Sequence, residues 1–224
     1  MRTGHRRHIV SRIVILSGVT AVDDPWHDFE ATSHAVASCL SDAGWMCTVA
    51  TTAESASVGL VDADLLIVNS GMHSPPGPDG VAPTQLLDYL ASPRAVLGLH
   101  AAANTFAVVP QWARRLGVRW VEGVSMHPPI GWQRLVPGPL TPVPNGLDEV
   151  VVYDELYSNL DVLRPAKVLL THHLDGLDQP LVLAREDGPQ RTIYDALGHG
   201  AESYASRSRQ ELLRREVRWL LGVG

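Results

Sequence analysis

The chain is poor in cysteine, in long apolar runs and in positive charge, and each shortage excludes something. Only Cys39 and Cys47 occur among 224 residues, and neither stands in a CxxC pair. Two thiols cannot make a disulfide framework. They read instead as small buried hydrophobes, Cys39 on a helix and Cys47 at the start of a strand. No apolar run approaches the ~20 residues of a membrane span, so no membrane partner is expected. The formal charge is -6, whereas nucleic-acid surfaces usually read basic, so no nucleic-acid partner is expected either. The basic start, Arg2 to His8, lacks the apolar stretch of a signal peptide, which makes a cytoplasmic protein the expectation. GxGxxG and GxxxxGK[ST] are absent, which argues against nucleotide cofactors. GxSxG is absent too, so a serine-hydrolase elbow has no support.

What is present suits a globular core. The chain is 45% hydrophobic and 19% charged, and its length fits one large domain. Residues 1–8 read as a frayed tail and 9–224 as a single domain. The pattern predicts a strand over Ile9 to Leu16, apolar throughout and so buried on both faces. Asp28 is placed to cap a helix carrying Thr32, Val36, Cys39, Leu40 and Ala43, which Gly44 ends. Strands follow over Met46 to Thr52 and Asp64 to Asn69, then a Pro/Gly-rich loop, Ser70 to Gly80. A helix over Pro83 to Leu90 turns Leu86, Leu87 and Leu90 inward, and a short central strand, Ala95 to Leu99, leads into His100. A helical pattern then runs from about Thr105 to Leu116. This alternation predicts an α/β fold, a mostly parallel sheet with helices on both faces.

The second half changes character. Strands are expected over Trp132 to Val136, Glu149 to Tyr153, Lys167 to Thr171, Leu181 to Ala184 and Arg191 to Ala196. They add antiparallel edge strands or form a small extra sheet. Residues 137–144 read as a stiff proline-rich connection. A last helix, Ser208 to Leu221, has Leu213, Val217, Leu220 and Leu221 as its apolar stripe and solvated arginines elsewhere.

The order Ile15-Leu16-Ser17-Gly18, Trp26-His27-Asp28-Phe29, Gly98-Leu99-His100-Ala101-Ala102-Ala103-Asn104, His127, Asp154-Glu155-Leu156-Tyr157 and Ala196-Leu197-Gly198-His199 resembles the ThuA-like (trehalose utilisation) family. The resemblance covers nearly the whole chain from about Arg12. It implies a flavodoxin-like fold similar to the class I glutamine amidotransferase domain. It also implies carbohydrate metabolism, with trehalose, related disaccharides or sugars oxidised at C3 as substrates. Gly138-Pro139-Leu140-Thr141 stands where the family usually has His-Pro-Ile-Thr.

Amidotransferases carry a nucleophilic cysteine on the turn after a central strand. Here that turn carries His100 and alanines, so thiol chemistry is not expected. Histidines and acids remain. In an open α/β sheet the carboxyl ends of the strands face the ligand crevice, where His27 and His100 can converge. His100 and Glu155 are the candidate acid–base pair. His27, Asn104, His127, Tyr157, His199 and Trp26 are candidate substrate contacts, Trp26 because aromatic faces stack on sugar rings. No cofactor is expected. A divalent metal on His27, His100, His127 and His199 is the alternative, ranked lower because no HExxH or close helical histidine pair occurs. A sugar is the expected small-molecule partner, with homo-oligomerisation left open. The competing reading is a non-catalytic sugar-binding or interaction domain.

Overall fold

The computed structural model describes residues 10–18, 24–71, 83–136 and 147–223. The expected tail, the Pro/Gly-rich loop beyond Gly71 and the 137–144 connection lie outside them. The first half alternates strand and helix: β1 (Arg12–Ser17), α1 (Phe29–Ser41), β2 (Met46–Ala50), α2 (Ala53–Leu60), β3 (Leu65–Asn69), α3 (Thr84–Ala91), β4 (Ala95–Leu99) and α4 (Pro110–Leu116). The second half holds β5 (Val118–Arg119), β6 (Gly131–Leu135), β7 (Val150–Asp154), β8 (Asp161–Val162), β9 (Lys167–Leu174), β10 (Leu177–Asp187), β11 (Gln190–Asp195) and α5 (Arg207–Leu221).

Seven strands form the main sheet in the order β2-β1-β3-β4-β11-β10-β9. The first five are mutually parallel, and β10 and β9 run antiparallel at one edge. β3 and β4 are buried at every position, and β1 at all but Arg12. That is why their sequences read as unbroken apolar runs. β2, at the edge, alternates instead. β6 and β7 pair antiparallel as a separate two-stranded sheet. α1 is pinned to β3 by Asn69, whose amide donates to the Thr32 and Ser33 hydroxyls at 2.8 Å.

Several expectations need correction. The first strand begins at Arg12, not Ile9. No helix starts at Thr105: His100–Asn104 is a tight 3-10 turn, and α4 begins at Pro110. Proline has no N–H and fits only a first helical turn, so it marks the start. α2 was not anticipated. Ala56 and Leu60 anchor it in the core, and it starts on a capping box between Thr52 and Ser55. β11 is neither an edge strand nor antiparallel to the main sheet. A hairpin returns it from β10, so it lies parallel to β4 inside the sheet. β9 and β10 are longer than expected, joined through Asp175 (φ 51°) and Gly176 (φ 83°), a two-residue turn whose Asp-Gly signal is in the sequence.

The arginines of α5 are not all solvated. Arg209 is fully buried, with its guanidinium 2.7 Å from the buried Asp195. Glu216 is fully buried beside them, its carboxyl pushed well above the ordinary range, first by burial and then by Asp195. Leu212 takes the inward place expected of Leu221, which is half-buried.

Candidate functional site

The turn after β4 holds His100 at φ 42°, a left-handed conformation uncommon for a residue with a side chain. Gly98, two residues earlier, has no room for a Cβ, which would meet Leu116 Cδ1 at 2.5 Å. α4 therefore packs directly on the strand. His100 is 1% exposed and fixed from both sides. Its carbonyl accepts from the Tyr194 hydroxyl at 2.9 Å, and its Nδ1 lies 2.7 Å from the Ala196 carbonyl. A carbonyl only accepts, so Nδ1 carries the proton, and Nε2 is the free nitrogen of the neutral ring.

Three other strand ends close around this nitrogen. Before α1, Asp28 caps the helix by accepting from Ala31 N–H at 2.9 Å. Asp24 organises the turn ahead of it: one oxygen accepts from the Trp26 and His27 amides at 3.0 and 3.2 Å, the other from His27 Nδ1 at 2.8 Å. At the end of β7, the fully buried Asp154 accepts from the amides of Glu155, Gly198 and His199 at 3.0, 2.7 and 3.1 Å. One carboxylate thus sets the backbone of both Glu155 and His199. Gly198 is at φ 117°, where a Cβ would also meet the Tyr204 hydroxyl at 2.5 Å, so only glycine turns the chain here. His127 points its Nδ1 at the Pro128 carbonyl, 3.0 Å away.

These loops bring one carboxylate among three imidazoles. Glu155 Oε2 lies 3.2 Å from His199 Nδ1, 3.5 Å from His127 Nε2 and 3.6 Å from His100 Nε2. His27 completes the group, its ring centroid 5.1 Å from His100 and 4.9 Å from His199. His100 Nε2, His199 Nδ1 and Asn104 Oδ1 are buried without an aligned hydrogen-bond partner among the described residues. Unsatisfied buried polar atoms are rare in native structures and call for a ligand or water.

The electrostatics divide the group. Burial works to raise the Glu155 carboxyl, but the adjacent His100 and His199 outweigh it and hold it well below the usual carboxylate range. His199 is raised, first by Glu155, against the burial that would lower it. His27 is lowered to about 4, first by burial and then by His100, despite Asp24. Candidate ligand atoms of His27, His100 and His199 lie within 4.8 Å of one another, a grouping able to hold a metal ion. A tetrahedral zinc with its ~2.05 Å bonds would draw them in to about 3.4 Å.

Of the residues singled out in the sequence, His27, His100, His127, Glu155 and His199 meet in one group. Asn104 ends the His100 turn. Tyr157 is 5% exposed and packs its ring 4.1 Å from His100 and 4.7 Å from Trp120, a support beneath the histidine. Trp26 is 64% exposed and makes no ring contact with the group among the described residues. His172 is buried, bonded to the Ser158 hydroxyl at 3.0 Å. The departure noted at 138–141 lies outside the described residues, and the His-Pro pair that reaches Glu155 is His127-Pro128. Sequence reasoning passed over Asp24 and Trp120. Asp24 had a signal, an acid three residues ahead of a histidine in an Asp-Pro turn.

A family model described as ThuA, trehalose utilisation, matches residues 12–220. No curated protein matches the chain in sequence. Among solved structures, a ThuA-like protein from Bacteroides uniformis superimposes with a TM-score of 0.70 at 17% identity, over 94% of this chain and 91% of that one. A glutamine amidotransferase from Thermotoga maritima aligns at TM-score 0.55 and 12% identity, covering 96% and 99% of the two chains. A β-galactosidase from Rahnella sp. R3 aligns at 0.62 and 12% identity, over 96% of this chain but 32% of its own length. At such identities these likenesses establish the fold. No helix among the described residues is long and apolar enough to cross a membrane.

Proposed function

The chain belongs to the ThuA (trehalose utilisation) family, and from that membership and the histidine group we propose an enzyme that acts on a trehalose-related disaccharide carrying a ketone. The observation that carries this reading is the buried, unpartnered Nε2 of His100 beside Glu155. With its proton on Nδ1, His100 offers an unpartnered lone pair beside Glu155, the requirement for a general base. A ketone at C3 of a hexose acidifies the proton on C2. His100 Nε2 takes that proton, the C–H pair forms a C1–C2 double bond, and the C1–O bond breaks with its pair on the leaving oxygen. His199, raised and so the ring of the group that most readily holds a proton, protonates that oxygen. No thiol, hydroxyl nucleophile or second carboxylate is needed, unlike a conventional glycosidase.

Glu155 takes a different part from the one its sequence context suggested. A carboxylate held this low is a poor proton carrier at neutral pH. It acts as the fixed charge beside His127 and His199, and it favours the imidazolium that His100 becomes on taking the proton. Asn104 Oδ1 and the imidazole N–H groups serve sugar hydroxyls. A second reading, favoured by the spacing of His27, His100 and His199, is that these three would hold a divalent metal, which would supply Lewis-acid polarisation of a sugar oxygen.

Turnover of a 3-keto-disaccharide by protein dialysed against a chelator tests both. The metal-free reading expects full activity after dialysis. Activity lost on dialysis and restored by a stoichiometric divalent ion supports the metal reading, and no turnover in either state contradicts both.

A further inference from the structure

At the opposite end of the sheet from the histidines, the last turn of α4, the end of β10 and the start of β11 line a half-open cavity of about 250 Å³. The five-residue strand β4 separates the two places by roughly 15 Å, at ~3.3 Å per residue. Four arginines, Arg114, Arg115, Arg164 and Arg185, line it against a single acid, Asp187.

The local fold explains why they crowd. α4 ends at Gly117, where a Cβ would meet Arg185 Nη1 at 2.7 Å. The Arg185 guanidinium can therefore lie against the helix end, donating to the carbonyls of Arg114 and Arg115 at 3.2 and 3.0 Å and to Asp187 at 2.5 Å. Arg164 shares the same carboxylate at 3.4 Å. Arg115, 5% exposed, donates to the carbonyls of Ser92, Arg94 and Arg191, and its Nε is buried without a partner. Arg114 is exposed and has no ion-pair partner among the described residues. One carboxylate, paired with Arg185 and Arg164, thus stands in a cavity lined by four arginines. Arg115 is pushed down to about 10, first by burial, with Arg185 adding to the effect. At that value it is still charged at neutral pH.

We propose that this cavity is a second site, one that binds a small oxyanion: a phosphoryl or carboxylate group carried by a small molecule. Guanidinium forks match the geometry of both groups, and two of the four, Arg115 and Arg185, are buried. The volume falls below the ~300–1,000 Å³ of ordinary ligand sites, which suits one compact anion. The site shares no residue with the histidine group and is independent of the reaction proposed above.

Calorimetric titration with inorganic phosphate, a hexose 6-phosphate and malonate, at ionic strength held constant with chloride, tests it. The comparison is with an Arg114→Glu/Arg164→Glu variant. Both positions are exposed, and the buried Arg115 and Arg185 stay in place. At least one probe should bind the native protein and bind the variant at least tenfold more weakly, and the tighter probe identifies the phosphoryl or carboxylate source. His100→Gln should bind the anion unchanged. No binding by any probe, equal binding to the arginine variant, or binding lost in His100→Gln would overturn the proposal.

Discussion

His27 and His199 stand with ring centroids 4.9 Å apart, yet their surroundings push them in opposite directions. His199 gains the Glu155 carboxylate and is raised. His27 loses water, sits beside His100 and is lowered to about 4. Divergent pairs of this kind separate a proton donor from an acceptor. They also leave a mark on stability. Below pH 6.5 the unfolded chain protonates His27 while the folded protein does not, so stability falls as the pH drops from 6.5 toward 4. The loss is about 3 kcal/mol if this ring acts alone. Glu155, held low, contributes stability above its unfolded value that is lost only at more acid pH. The raised His199 contributes below pH 6.5 and loses that contribution on the alkaline side. Urea unfolding at pH 7 and 4.5, with chelator present, checks the first of these. The native protein should lose about 2–3 kcal/mol more than His27→Gln, the difference cancelling the contributions of His199 and Glu155. Equal losses in the two proteins would contradict the assignment.

At the scale of elements, the site is a product of strand ends held in fixed relation by buried carboxylates. Asp154 ties the end of β7 to the loop after β11. Asp195 accepts from the Leu197 amide at 2.9 Å and pairs with Arg209 of α5, so the helix supports the same loop that anchors His100 through Ala196. Arg209→Leu leaves Asp195 buried without its cation, and breaking such a pair costs about 3–5 kcal/mol. The denaturant midpoint should fall accordingly; an unchanged midpoint would mean that the pair contributes nothing. Much of this was legible beforehand. β4 was read to the residue because a doubly buried strand is an apolar run bounded by polar residues, and the Asp28 cap was read from its position before a helical pattern. α2 escaped because Ala53 to Leu60 carries too few large apolar residues to show a period. Arg209 and Glu216 escaped although they fall on the same helical stripe as Leu213 and Leu220. Charge was read as exposure, and Asp195, the partner, belongs to a different element. For the site, the histidines and Glu155 could be named from the sequence, but their division of labour could not. It depends on which ring nitrogen meets a carbonyl, and that is set by folding.

The whole molecule carries its polar chemistry at the two ends of one sheet. At the carboxyl ends of β1, β4 and β11, with the end of β7 beside them, histidines gather around one carboxylate. At the other end, arginines surround one acid. The parallel sheet needs its helices on both faces to be buried, and this leaves the strand ends as the places where backbone turns sharply and polar side chains can converge. The most direct test of the account is solvent exchange, followed by NMR, at C2 of a 3-keto-disaccharide in deuterated buffer with chelator present. The native protein should catalyse exchange or elimination at that carbon, and His100→Gln should slow it by about 10²-fold or more. Absence of exchange with the native protein, or an undiminished rate in His100→Gln, would contradict the claim that His100 is the base.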